Sequence, residues 1–132
     1  MSQHLALISL VVADYDEAIA FYTEKLGFTL EEDTRLSDAK RWVRVAPPGG
    51  AGGCQLLLAR AGDEAQRQHI GNQTGGRVFL FLHTDDFNQD YARLLAHGVT
   101  IVRPPNVEVY GTVTVFEDLY GNRWDLVGRT QR

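Results

Sequence analysis

"FEDLYGNRWDLVG", residues 116–128, places Gly121 and Asn122 between two stretches that suit β-strands. Gly and Asn in that position mark a tight turn, so the segment reads as a strand end, a turn and a second strand. Asp125 falls inside the second strand, between Trp124 and Leu126. A carboxylate there is costly unless something pairs with it. It is a metal ligand, an acid or base, or the ion-pair partner of an arginine such as Arg123 or Arg44.

Working back from this hairpin, "VFLFLHT" at Val78–Thr84 reads as a strand, and Asp86 with Gln89 as a capping box. Phe87, Tyr91, Leu94 and Leu95 form a helical stripe that Gly98 ends, with strands near Thr100–Arg103, Thr112–Glu117 and Arg123–Val127. The first half has the same order. A strand at Leu5–Val12 leads to Asp14 as N-cap, with Glu17 three residues on. A helix over Tyr15–Leu26 presents Ala18, Ile19, Tyr22 and Leu26, and Gly27 stops it. Strands follow at Phe28–Leu36, Arg41–Ala46 and Gln55–Ala61, the last two separated by "PPGGAGG" at 47–53.

The Asp-helix-Gly unit of the first half precedes that of the second by 71 or 72 positions. Each half is therefore β-α-β-β-β, a duplicated supersecondary unit. Module one covers about 1–62, a polar, Gly-bounded linker about 62–76, and module two about 77–132. With helices covering one face of each sheet, the expected class is α+β. The other faces of the curved sheets would form a shared cavity.

The chain has 132 residues and a formal net charge of −4 without a basic run, which argues against nucleic acid as partner. Its only cysteine, Cys54, excludes an intramolecular disulfide and a cysteine-based zinc site, and it reads as an inert thiol. The first residues lack a basic start, and Asp14 breaks the apolar run. No signal peptide and no membrane span are expected, and the cytoplasm is the default location.

Two stretches carry a resemblance. "VVADYDEAIAFYTEKLGF" (11–28) and "FEDLYGNRWDLVG" (116–128) resemble the strand-Asp-helix and strand-turn-strand patterns of the vicinal oxygen chelate superfamily. That superfamily comprises glyoxalases, bleomycin-resistance proteins and extradiol dioxygenases. Leu119 stands where its pattern often has proline. The resemblance implies a half-open eight-stranded barrel with helices outside, and commonly a homodimer. It also implies four metal-ligand positions, which fall on Leu7, Gln55, Phe79 (or Val78 with a one-residue shift) and Asp125. Leucine, valine and phenylalanine cannot bind a metal, and Gln55 offers only an amide oxygen.

Strand alternation puts Leu5, Leu7, Ser9 and Val11, then Gln55, Leu57 and Ala59, toward the cavity. Module two contributes Phe79, Phe81 and His83, then Arg123, Asp125 and Val127. Trp42 and Tyr110 stack on a ligand at the mouth or pack in the core. His83 and Asp125 are the candidate acid or base groups. Gln55 is a ligand contact or a buried amide, while His4, His69 and His97 show no metal spacing. "PPGGAGG" precedes a strand and lacks Gly-Lys-Ser/Thr, so it reads as a flexible loop.

The leading expectation is a protein that binds a small organic ligand in the cavity through Trp42, Gln55, Phe79, Phe81, His83, Tyr110, Arg123 and Asp125. It needs no cofactor and has no membrane partner. The alternative is a divalent-metal-dependent lyase, isomerase or dioxygenase with a relocated site. That site would use His83, Asp125 and a carboxylate such as Glu108 or Glu117.

Overall fold

The computed structural model describes residues 1–50 and 52–129; Ala51 of the glycine-rich loop and residues 130–132 of module two lie outside them. The chain is α+β and divides between Ile70 and Gly71 into two compact units, each built on a βαβββ module. In the first, β1 (Leu7–Val12) leads to α1 (Tyr15–Ala20), β2 (Thr29–Arg35), β3 (Arg41–Ala46), β4 (Gln55–Arg60) and a short α2 (Glu64–Arg67). In the second, β5 (Val78–Thr84) leads to α3 (Phe87–Ala96), β6 (Ile101–Glu108), β7 (Gly111–Glu117) and β8 (Arg123–Arg129). The sheet orders are β1-β4-β3-β2 and β5-β8-β7-β6, with one parallel pair each, β1 with β4 and β5 with β8.

Both helices start where the sequence says. The Asp14 carboxylate accepts from the Glu17 N–H at 2.8 Å, and that of Asp86 from the Gln89 N–H at 3.2 Å. These bonds satisfy N–H groups that the first turn leaves open. The helix expected over Tyr15–Leu26 is α-helical only to Ala20 and continues as a π-helical turn, Phe21–Lys25. The wider turn buries two successive rings, Phe21 and Tyr22, which meet edge to face at 5.3 Å.

Period-two alternation decides what those rings cover. Leu10 and Val12 of β1, Val43 and Val45 of β3 and Leu58 of β4 are fully buried with Ala18 and Tyr22. Each such side chain contributes about 1.5–3 kcal/mol through removal from water. In the second unit Phe116, Trp124 and Leu126 are buried with Leu94 of α3, and the Phe116 and Trp124 rings stack at 5.8 Å.

Three expectations are corrected. β1 begins at Leu7, so Leu5, expected to face the cavity, precedes the strand and is exposed. The strand expected to stop at Arg103 runs to Glu108, because β6 is an edge strand. Pro104 and Pro105 sit where its ladder with β7 breaks between Arg103 and Asn106, a break that an edge tolerates. The expected linker holds α2, whose N-cap Asp63 accepts from the Gln66 N–H at 2.8 Å.

Candidate functional site

The face of the first sheet opposite α1 follows the expected rows. Leu7 pairs with Gln55, Ser9 with Leu57 and Val11 with Ala59. On β3 and β2, Arg44 stands beside Leu57 and Glu32 beside Arg44. The Arg44 guanidinium is held from two sides. Glu32 Oε1 accepts from its Nε and lies 3.0 Å from Nη2, and the Gln55 amide oxygen accepts from Nη1. Hydrogen bonds from Thr34 and then from Arg44 keep the Glu32 carboxyl below its usual range. A buried Gln55 thus directs its acceptor at a cation.

Two cavities open on this unit. The smaller, about 320 Å³, lies between His4, Leu7, Trp42, Arg44, Gln55 and the Gly52–Gly53 backbone. The larger, about 920 Å³, is lined by Trp42, Leu57, Ala59, Arg60, Arg67 and Ile70 among others. Trp42 lines both.

In the second sheet, Phe81 stands beside Asp125, and the row continues through Val115 to Arg103. Asp125 Oδ1 is buried and has no hydrogen-bond partner among the described residues. Burial raises the Asp125 carboxyl above its ordinary range, and the Arg103 charge offsets part of that rise. The suggested ion-pair partners do not include this arginine, and Arg44 pairs with Glu32 instead. Sequence spacing had not singled out Arg103 because two ladder steps separate β6 from β8.

The remaining candidates are dispersed. His83 is exposed, opposite Val127. Arg123 is exposed, between Val78 and Glu117. Phe79 lies in a register break of β5, between Val78 and Leu80. The side chain beside Asp125, as Leu7 is beside Gln55, is therefore that of Phe81. Tyr110 is exposed in the turn between β6 and β7.

This donor set does not fit the metal of the superfamily. Of the four implied positions, Leu7 and Phe79 bring no donor, and the Gln55 oxygen already faces Arg44. Nor are His83 and Asp125 brought together with Glu108 or Glu117 as the relocated site would need. Among the described residues, no three His, Cys, Asp or Glu side chains converge. No helix among them is long and apolar enough to cross a membrane.

The sequence missed Arg67 and Ile70 in the lining of the larger cavity, because the segment read as a linker. A signal was present: Asp63 and Gln66 repeat the spacing of Asp86 and Gln89.

Residues 3–126 match the family model of the Glyoxalase/Bleomycin resistance protein/Dioxygenase superfamily, and the chain belongs to that superfamily. An uncharacterized protein of Shewanella frigidimarina (strain NCIMB 400) is 59% identical over 96% of this chain and 94% of its own. The crystal structure of UcmS2 matches with a TM-score of 0.83 at 33% identity, over 96% of this chain and 98% of that one. TnmS3, an antibiotic binding protein from Streptomyces sp. CB03234, matches with a TM-score of 0.77 at 31% identity, over 98% of each chain.

Proposed function

We propose that this chain binds a small organic molecule, with an apolar or aromatic body, on the open face of its first sheet. The observation that carries this is the cavity of about 920 Å³ walled by Trp42, Leu57 and Ala59. Sites for drug-sized ligands fall at roughly 300–1,000 Å³ and combine such walls with a few polar groups. The likeness to TnmS3, an antibiotic binding protein, supports the same class of task. Binding proceeds without a divalent metal, since Gln55 serves Arg44 and not a metal ion. Phe81 beside Asp125 offers a second apolar-polar pair on the other unit. The protein works as a homodimer, to which the exposed Val107, Val109 and Tyr110 around the β6–β7 turn lend support.

The test is a fluorescence titration with N-phenyl-1-naphthylamine, a neutral aromatic probe, in the presence and absence of EDTA. Saturable binding unaffected by EDTA is expected, weakened about tenfold or more in Trp42→Ala, as for a buried aromatic anchor. No saturable binding, or binding that EDTA abolishes, overturns the proposal. Sedimentation velocity showing a monomer at micromolar concentration would remove the dimer.

A further inference from the structure

The larger cavity of the first unit has a charge of its own. Lys40, Arg41, Arg60 and Arg67 line it, four of the thirteen basic residues in a chain of net charge −4, and none of the described residues lining it is acidic. Two of these cations are answered nearby. Arg41 bonds Asp33 at 3.0 and 2.7 Å and Asp16 at 2.9 Å, and Arg67 bonds Glu64 at 3.0 Å. The other two, Lys40 and Arg60, have no carboxylate within ion-pair distance among the described residues.

Arg60 is nonetheless held in place. Its Nη2 donates to the Ala39 carbonyl at 2.9 Å, and its guanidinium lies 5.6 Å from the Tyr15 ring centroid. That carbonyl belongs to the peptide joining Ala39 to Lys40, so the guanidinium stands close to the Lys40 backbone. The Lys40 N–H is itself pinned to Ser37 Oγ at 3.1 Å. Arg60 is thus held against Tyr15, which lines the same cavity as Lys40, Trp42 and Leu57. A preorganised donor of this kind loses little freedom when it meets an anion.

We propose that this cavity takes an organic oxyanion. The apolar or aromatic body lies against Trp42 and Leu57, and the carboxylate, sulfonate or phosphate lies between Lys40 and Arg60. This rests on the binding function above and names the chemical class of its ligand.

The experiment compares 8-anilinonaphthalene-1-sulfonate with N-phenyl-1-naphthylamine, which has the same ring system without the sulfonate. Wild type is expected to bind the sulfonate about tenfold more tightly than the neutral probe, the scale of one charge-assisted contact. Lys40→Gln/Arg60→Gln should remove that difference, read as the ratio of the two probes' affinities. Lys40→Gln alone, an exposed change that leaves Arg60 on Tyr15, should remove about half of it on a free-energy scale. Arg129→Gln, an exposed cation at the end of β8, should change neither affinity. Added salt should weaken the sulfonate more than the neutral probe. Equal affinity of wild type for the two probes overturns the anion assignment but spares the binding function. So does an equal loss in Arg129→Gln. Failure of both probes to bind overturns both.

Discussion

Asp118 and Asp125 lie in the same hairpin and have opposite surroundings. Asp118 Oδ1 accepts from the N–H groups of Tyr120 and Asn122, and Oδ2 from the Asn122 side chain, all at 2.9 Å. Asp118 and Asn122 are buried, so Asp118→Ala leaves three donors without that acceptor. The expected loss is about 2–4 kcal/mol in urea unfolding. A loss below about 0.5 kcal/mol would mean that water replaces the carboxylate at no cost. Asp125 is the reverse case, with a buried oxygen that lacks a partner among the described residues and a carboxyl raised by burial. Its folded form holds the proton more tightly than the unfolded chain does. Stability therefore falls as pH rises from the unfolded carboxylate value, about 3.9, through the raised folded value. Asp125→Asn removes that penalty and should melt at a higher temperature than wild type at pH 7, with the gap closing toward pH 3. A lower melting temperature at pH 7 would show that the ionised carboxylate is favourably paired.

At the level of elements, the two module helices were legible because their signals are local. Asp14 with Gly27, and Asp86 with Gly98, bracket them within a dozen or so residues. Asp14→Ala should cost about 1 kcal/mol, measured by thermal or urea unfolding. An unchanged midpoint would show that α1 is held by packing alone. Other elements were less legible for physical reasons. Pro104 and Pro105 argue against a strand unless it is known to be an edge, and edge position is a property of the sheet. The break between α1 and the π-helical turn leaves the apolar spacing almost unchanged. The bond from the Leu26 N–H to the Phe21 carbonyl, five residues back and 3.3 Å long, reveals it. α2 is a single turn in a polar segment, too short for any periodicity to register.

For the molecule as a whole, binding and stability are linked. A probe that binds only the folded state raises stability by about 2.7 kcal/mol at a hundred times its Kd. N-phenyl-1-naphthylamine should therefore raise the melting temperature by several degrees, and by much less in Trp42→Ala at the same concentration. An equal rise in both would move the site away from Trp42. The strand and helix order, the duplication and the residues sharing each sheet face follow from the sequence by itself. Caps, glycine stops and period-two alternation act between near neighbours, and a short window contains them. The partnerships needed tertiary structure: Gln55 with Arg44, Phe81 rather than Phe79 beside Asp125, and Lys40 and Arg60 around one cavity with Trp42. Each joins groups on different strands or turns, and strand register, including the break in β5, decides which of them meet.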